Sequence, residues 1–218
     1  MSWAYIQQAM PDYIKAFWLR LKLSTIGIAG AVLVGIVAAF IIYYKIPGHR
    51  IILSYIEIAR NTPLLIQLFF IYYGLPITGI KIPAQQTAII GLVFLGGAYM
   101  SDAFLGGLRA VPKIQIESGR AIGLSTFQLS RFVVFPQGFI FSLPALAANV
   151  IFLIKETSIF TVIAIPEITN TTLDLIGQNY RTNEYLLMMV SSYAVILIPL
   201  SVFLSWIERR IRYANFGN

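Results

Sequence analysis

Residues Leu23–Tyr44 read LSTIGIAGAVLVGIVAAFIIYY and contain no charged side chain. An α-helix rises about 1.5 Å per residue, and about 20 apolar residues therefore cross the hydrocarbon core of a bilayer. The stretch is predicted to be a membrane-spanning helix, closed by Lys45 and the pair Pro47–Gly48. Its apolar run is longer than that of a signal peptide, and we expect a retained anchor rather than a cleaved leader.

Four further apolar segments follow, and together they predict an all-α membrane protein with a single transmembrane domain over residues 1–218. Pro63 suits the first turn of the second helix, which has an apolar lead-in from Ile51. Lys155–Ser158 interrupts the fourth, and Pro199 is expected to kink the fifth. The five predicted spans are about 23–44, 62–74, 87–108, 137–165 and 185–207.

The composition agrees with this class. Hydrophobic residues make up 58% of the chain and charged residues 11%, whereas soluble domains carry about 25% charged residues. The net charge of +7 does not indicate a nucleic-acid partner, because most Lys and Arg lie outside the apolar runs, where they anchor to lipid headgroups. The sequence has no cysteine and a single loop histidine, His49, which excludes a disulfide framework and argues against a metal site.

The distribution of Lys and Arg predicts the orientation. Loops on the cytoplasmic side of a membrane are enriched in these residues. One side holds nine of them and the other five, with Arg60 and Lys155 unassigned. The richer side is predicted to be cytoplasmic, with the N-terminus outside, although Lys15, Arg20 and Lys22 oppose this locally. The nine are Lys45, Arg50, Arg109, Lys113, Arg120, Arg131, Arg209, Arg210 and Arg212; the five are Lys15, Arg20, Lys22, Lys81 and Arg181.

Small residues recur every four positions in the first span. Gly27, Ala31, Gly35 and Ala39 form a ridge on one side of the helix. Such a ridge lets the backbone of another helix approach closely. We therefore expect a helix to pack there, without predicting which.

The longest polar stretch between spans, residues 109–136, contains a motif with defined spacing. Lys113–Ile122 can form a short surface helix, and Gly123 can end it in the left-handed conformation. Glu117-Ser-Gly-Arg-Ala-Ile-Gly123 is followed after nine residues by Val133-Val-Phe-Pro136. This pattern resembles the EAA loop of ABC-importer permeases, with Ser118 and Gly119 in place of the usual alanines and Phe135 in place of the usual leucine.

The resemblance implies that an ATPase docks on this loop, where small residues would let the helix enter a groove of the partner. The coupling residues implied are Glu117, Ser118, Gly119, Ala121 and Gly123.

The rest of the chain is similar to the same family, in the branch that carries histidine, glutamate, glutamine, arginine or cystine. The similar segments are Glu57–Leu65, Phe69–Pro76, Ala98–Asp102 (with Asp where Glu is usual), Leu153–Ser158 and Trp206–Arg210. The family implies the type I ABC importer transmembrane fold in the bacterial cytoplasmic membrane. It also implies a second permease copy or a similar permease, a cytoplasmic ATPase dimer, an extracytoplasmic solute-binding protein and a polar amino acid as substrate.

No nucleotide-binding motif occurs in the sequence. A Gly-x4-Gly-Lys-Ser/Thr loop, a His-Glu-x2-His motif and a Gly-x-Ser-x-Gly elbow are all missing. We therefore expect a transport subunit that is not itself an enzyme and binds no cofactor, with ATP and magnesium held by the partner ATPase.

Two carboxylates lie within predicted spans. Charges at membrane depth are costly and mark functional sites by default. Asp102 lies in the third span and Glu156 in the fourth, and Ser142, Asn149 and Glu156 share one helix face because they are seven residues apart. This spacing suggests a wetted path or pocket wall.

An amino-acid zwitterion needs an acceptor for its ammonium group, which Glu156 or Asp102 could supply, and donors for its carboxylate. The alternative is that both carboxylates make structural hydrogen bonds or ion pairs, and that the permease offers only a passive path. The predicted substrate path comprises Tyr99, Asp102, Asn149, Glu156, Thr157 and Ser158.

A different class, an ion-coupled secondary transporter, would use Asp102 and Glu156 as coupling-ion sites. The short chain and the lack of an internal repeat disfavour it. An integral-membrane enzyme is disfavoured because no nucleophile–base or metal constellation is present. The sequence alone leaves open the amino acid transported and the choice between homodimer and heterodimer.

Overall fold

The computed structural model describes residues 2–216, with side chains as far as Ile211. Residues 1, 217 and 218 of the predicted domain lie outside this description. So does the side chain of Arg212, one of the nine cations on the predicted cytoplasmic side. The regular secondary structure of the described part is helical throughout, as predicted. Its α-helices are α1 Trp3–Tyr43, α2 His49–Asn61, α3 Leu64–Phe69, α4 Ala84–Ala110, α5 Lys113–Ala121, α6 Thr126–Leu129, α7 Phe135–Glu156, α8 Ile168–Asn179 and α9 Thr182–Phe216.

Four short segments have tighter or wider helical geometry. Phe70–Gly74 and Ser130–Val134 are π-helical, and Leu75–Thr78 and Thr157–Ile163 are 3-10 helices. The last of these begins directly after Glu156, within the interruption that the sequence predicts for the fourth span.

Helix α1 starts 20 residues before the predicted first span. Its 41 residues correspond to about 61 Å, twice the hydrocarbon thickness of a bilayer. Ile6, Ala9, Tyr13 and Ala16 lie at helical spacing and are buried in a second apolar cluster with residues of α8 and α9. Polar residues on the other side of the helix, such as Asp12 and Lys15, hide this stripe from a simple hydropathy reading.

The ridge of small residues packs against α4, which answers the question that the sequence left open. A Cβ added at Gly27 would lie 2.5 Å from Leu92 Cδ2, and one added at Gly96 would lie 2.7 Å from Ala31 Cβ. A Cβ at Gly35 would collide with Met100. Because contacts advance together along both helices, α1 and α4 run parallel, and the intervening chain must return to the side where α1 begins.

The remaining long helices have defined directions relative to α4 and α1. A Cβ at Gly107 would meet Ser142, and one at Gly96 would lie 2.8 Å from Leu153, which makes α7 antiparallel to α4. Helix α9 runs parallel to α1, since Tyr13 contacts Tyr185 and Arg20 contacts Tyr193. The C-terminal ends of α1, α4 and α9 therefore lie on one side, together with α5 and α6.

Within the part of the chain that the structure describes, four helical segments are long and apolar enough to cross a membrane: Trp3–Tyr43, Ala84–Ala110, Thr126–Ile163 and Thr182–Ile211. The predicted second span corresponds to a shorter apolar segment, Leu64–Thr78, which follows the separate helix α2. Thr62 is extended, with φ −113° and ψ 123°, and Pro63 lacks an N–H, which together end α2.

The predicted polar loop between the fourth and fifth spans contains helix α8, which the sequence analysis missed. The Glu167 side chain caps this helix by accepting a hydrogen bond of 3.0 Å from the Asn170 N–H. Glu is not a favoured N-cap residue, and the start of α8 therefore carries no strong sequence signal.

Candidate functional site

A half-exposed ion pair joins α2 to α4. Arg60, in the last turn of α2, pairs with Asp102, and their side chains are 46% and 36% exposed. The Arg60 guanidinium also lies 5.4 Å from the centroid of the Tyr99 ring, within the range of a cation–π contact. The alternative left open for Asp102, an ion pair between helices, is thus the arrangement observed.

Helix α7 extends this group. The Asn149 side-chain amide donates a hydrogen bond of 2.9 Å to the Tyr99 carbonyl, and the Tyr99 and Phe152 rings lie 5.0 Å apart. Three of the predicted path residues, Tyr99, Asp102 and Asn149, therefore come together with Arg60. We call these four residues the polar face.

Glu156 and Ser158 follow Asn149 of the polar face by seven and nine residues in the sequence. Glu156 is half-buried at the end of α7, one turn beyond Phe152, and residues four apart share a helix face. Ser158 is also half-buried, in the 3-10 segment that follows. Both side chains retain some exposure in the isolated chain.

Two other polar residues, Thr157 and Ser142, are buried and hydrogen-bonded within the chain. Thr157 is fully buried, and its hydroxyl donates a hydrogen bond of 2.7 Å to the Ile154 carbonyl. Ser142 is 1% exposed and donates to the Phe139 carbonyl. The expected wetted stripe from Ser142 to Glu156 is therefore wrong at Ser142, because close packing against α4 at Gly107 excludes water there.

Gln67 holds the break that positions Arg60. Its side-chain amide donates hydrogen bonds of 3.0 Å to the carbonyls of Ala59 and Thr62, and Gln67 is buried. Carbonyls at a helix C-terminus lack intrahelical partners. The Gln67 amide satisfies two of them and fixes the end of α2 relative to α3.

The motif in the 109–136 loop forms a short helix, α5, at Lys113–Ala121, close to the predicted Lys113–Ile122. Gly123 has φ +85°. The Gly123 N–H bonds the Arg120 carbonyl and the Leu124 N–H bonds the Gly119 carbonyl, each at 3.0 Å. This is a Schellman ending, and the predicted left-handed role of Gly123 is confirmed.

Gly119 faces inward rather than toward a partner. It is the buried residue of α5, and a Cβ there would lie 2.5 Å from Leu129 Cδ1. The small size of Gly119 is therefore required by the packing of α5 on α6 within this chain. The sequence interpretation, that this residue lets α5 enter a groove of the partner, is corrected for Gly119.

The outward surface of the loop combines polar and apolar residues. Glu117, Ser118 and Ala121 are exposed. Large apolar side chains beside them are also exposed, with Ile122 at 78% and Phe127 at 73%. Exposed apolar patches of this kind mark contacts with another protein or with the membrane.

A second ion pair is fully buried. Arg20 on α1 bonds Glu167 at 3.1 Å and the Ile154 carbonyl at 2.6 Å, and both charged side chains are 0% exposed. The guanidinium also lies 3.8 Å from the centroid of the Tyr193 ring. Burial raises the pKa of the Glu167 carboxyl above its usual range, although the N–H groups of Thr169 and Asn170 and the charge of Arg20 act in the opposite direction. This pair joins α1, α7, α8 and α9.

Sequence reasoning did not identify these two arginines as paired. Arg60 carried one usable signal, a cation at the end of an apolar lead-in, which defaults to a functional role. The charge count placed Arg20 among exposed loop cations, but it is buried in an ion pair. Without Arg20, the outer side has one exposed cation fewer near the N-terminus, and the predicted orientation meets less local opposition.

Comparisons with known proteins show the family. The sequence model described as "Binding-protein-dependent transport system inner membrane component" matches residues 31–213. The chain is 32% identical over 215 residues to the glutamine transport system permease protein GlnP of Escherichia coli K12, covering 97% of this chain and 98% of that protein. It is 31% identical over 209 residues to the probable glutamine ABC transporter permease protein GlnP of Bacillus subtilis 168, covering 95% of each.

Solved structures share the fold. A crystal structure of an amino acid ABC transporter with histidines superposes with a TM-score of 0.90 at 31% identity, covering 96% of this chain and 99% of that one. Inward-facing conformations of the MetNI methionine ABC transporter give a TM-score of 0.77 at 20% identity, which shows a common fold.

Proposed function

Because the chain belongs to the family of binding-protein-dependent transport system inner membrane components, we propose that it is the membrane-spanning subunit through which an ATP-driven importer brings a polar amino acid into a bacterial cell. The two relatives are named as glutamine transport permeases, and the structural neighbour is an amino acid ABC transporter. To this description the proposal adds that the substrate is polar, that transport is inward and that the protein lies in the plasma membrane.

The orientation follows from helix directions and charge. We assign five crossings, with α2 and Leu64–Thr78 forming the second, because α1 and α4 run parallel and the chain between them must return. The side that holds α5, α6 and the end of α9 also holds most of the exposed Lys and Arg. Basic loops remain in the cytoplasm, and this rule supports an N-terminus outside.

The observation that carries the proposal is the exposed surface of the 109–136 loop. Ile122 and Phe127 present apolar side chains, while Glu117, Ser118 and Ala121 present small or polar ones beside them. An interface core that is apolar with a polar rim fits a protein partner. The partner is an ATPase dimer that binds ATP and magnesium, closes on ATP and moves α5.

The transport path is assigned to the polar face and its continuation to Glu156 and Ser158. Polar groups on membrane helices line cavities or contact other subunits. A second permease copy, or a similar permease, would complete the path, and an extracytoplasmic binding protein would deliver the substrate. Thr157 is not part of the proposed lining in this conformation, because its hydroxyl is bound within the chain.

The ion-coupled alternative loses its main support. Asp102, which would serve as one coupling-ion site, is already paired with Arg60. A bound sodium ion or proton would have to displace that guanidinium. No observation favours this class over an ATP-driven importer.

The proposal is tested by reconstitution. The permease is placed in proteoliposomes with its ATPase and binding protein, and accumulation is measured from a carbon-14-labelled mixture of the protein amino acids. We expect uptake that requires ATP and the binding protein. Uptake driven by a sodium or proton gradient without ATP would contradict the proposal.

A further inference from the structure

Two Arg–carboxylate pairs among the described residues, Arg20–Glu167 and Arg60–Asp102, differ in their exposure. Arg20 and Glu167 are both 0% exposed, and their remaining polar contacts lie within the chain. Arg60 and Asp102 are 46% and 36% exposed. Exposed ion pairs are common on soluble surfaces, but Asp102 belongs to α4, which is long and apolar enough to cross a membrane. The exposed edge of the second pair calls for another explanation.

The second pair lies within the depth of a bilayer. Asp102 precedes the end of α4 at Ala110 by eight residues, which is about 12 Å along a helix and well inside a hydrocarbon layer about 30 Å thick. A half-exposed charge pair facing lipid at that depth would be costly. Its open side therefore faces a water-filled path or another polar group.

The chemistry of the open side matches one class of ligand. The Arg60 guanidinium is a planar fork that binds a carboxylate through two N–H groups, and the Asp102 carboxylate accepts from an ammonium group. Tyr99 forms an aromatic wall beside Arg60. The side-chain amide of Asn149 donates a hydrogen bond to the backbone carbonyl of Tyr99. The two charges are adjacent, as are the two charged groups of an α-amino acid.

We propose that Arg60 and Asp102 bind the α-carboxylate and the α-ammonium group of the transported amino acid, opening their mutual ion pair to do so. This inference rests on the proposed function and deepens it. Each charge of the pair exchanges one partner for another of the same sign, and the site stays neutral with or without substrate. Arg60 is thereby a binding residue that sequence reasoning did not assign.

Position also favours these two residues. Gln67 fixes the end of α2 that carries Arg60 by bonding the carbonyls of Ala59 and Thr62. Asp102 lies on α4, which packs closely on α1. Two rigid elements therefore present the two charges, as a precise binding site requires. Glu57, exposed one turn before Arg60, and Glu156 on α7 are the nearby carboxylates along the elements that carry the site.

The test uses the complete reconstituted complex and the labelled amino-acid mixture, with the solute that wild type accumulates then used alone. Arg60→Gln and Asp102→Asn are each expected to lower the initial uptake rate at subsaturating solute about tenfold or more, the effect of losing a charged hydrogen bond. Arg50→Gln is the matched control: it makes the same change at an exposed position of the same helix, and uptake should not change.

A charge swap separates binding from support of the fold. Arg60→Asp combined with Asp102→Arg restores an ion pair between α2 and α4 but reverses the zwitterion that the site can hold. We expect the swap to recover assembly and the melting temperature of the complex without recovering uptake. Recovery of uptake in the swap would show a structural pair and overturn the proposal.

A conservative variant covers the case in which the swap does not assemble. Arg60→Lys keeps the charge and can still pair with Asp102, but it lacks the planar fork. The KM for the solute should rise severalfold at an unchanged melting temperature, and an unchanged KM would overturn the proposal. If wild type imports no labelled amino acid, the proposed function fails as well; if wild type transports and the Arg60 and Asp102 variants match it, this inference alone fails.

Discussion

Glu156 lies at the residue where α7 ends and 3-10 geometry begins. Such a change of helix type within an apolar segment frees backbone groups and often marks a functional position. The half-buried carboxylate of Glu156 lies one turn beyond Phe152, which contacts Tyr99 of the polar face. In the proposed transport path, Glu156 is the carboxylate that α7 contributes.

Glu156→Gln is therefore expected to weaken uptake, or substrate-stimulated ATPase activity, while the complex still assembles. The change removes the charge and keeps the size of the side chain. Glu208→Gln, near the C-terminal end of α9, is the matched control and should have a smaller effect. The measurement is uptake over a range of solute concentrations in proteoliposomes. Unchanged uptake over that range would return Glu156 to a structural role.

The buried Arg20–Glu167 pair supports the junction of α1, α7, α8 and α9. Arg20→Leu leaves the Glu167 carboxylate without its counter-charge and should destabilise the fold by about 3–5 kcal/mol. Adding Glu167→Gln should recover part of that loss, because the remaining group is then neutral. The measurement is the heat-induced loss of the monodisperse detergent-solubilised protein.

Lys15→Leu serves as the control for Arg20→Leu. Lys15 is 80% exposed and lies 3.9 Å from Asp12, and surface pairs of this kind contribute little. If Arg20→Leu melts at the wild-type temperature, the buried pair does not stabilise the junction.

At the scale of the element, α5 and α6 form a small unit with one inward and one outward surface. Gly119 and Leu129 pack inward. The Ser125 hydroxyl and the Gln128 side chain form a capping box that starts α6. Outward lie Ala121, Ile122 and Phe127. With its own capping box and its own inward contact, this unit suits the coupling role proposed for the loop.

Ala121→Asp places a charge on the outward surface and leaves the inner packing untouched. We expect it to weaken ATPase binding about tenfold or more, since a few central residues carry most interface energy. Ala4→Asp makes the same change at an exposed position near the start of α1 and should not affect binding. Co-purification of the ATPase with the solubilised permease measures both. Full ATPase recovery with Ala121→Asp would refute this docking surface.

Gly119→Leu should also reduce ATPase binding, but for a different reason from Ala121→Asp. The new side chain must displace Leu129, so the loop itself is disturbed. Proteolysis of the loop in the isolated permease should therefore become faster with Gly119→Leu and stay unchanged with Ala121→Asp. Equal proteolysis rates for the two variants would show that Gly119 does not hold α5 on α6.

The proposed orientation of the whole molecule across the membrane can be tested by cysteine labelling. The native chain has no cysteine, so single cysteines report position cleanly. Ile122→Cys, in the loop, should be protected from a membrane-impermeant maleimide in intact cells, and Gln178→Cys, on α8, should react. Both positions are exposed in the fold. The reverse pattern of labelling would invert the proposed orientation.

Several features of the fold could be predicted from sequence because they depend on local physics. The long apolar runs require helices in a membrane, where backbone groups must bond within the segment. Gly123 marks a helix end because a positive φ is easy for glycine. Pro136 falls in the first turn of α7, where a missing N–H costs nothing. The family-like spacing from Gly123 to Pro136 lies within one loop and is visible without tertiary structure.

The tertiary structure decided what depends on which helices are neighbours. The partners Arg60 and Asp102 are 42 residues apart, and Arg20 and Glu167 are 147 apart; spacing along one helix cannot reveal either pair. The inward direction of Gly119 follows from where Leu129 packs, and the burial of Ser142 from the approach of Gly107. Sequence periodicity shows which residues share a helix face, but only the packing of helices on one another decides whether that face meets water, lipid or protein.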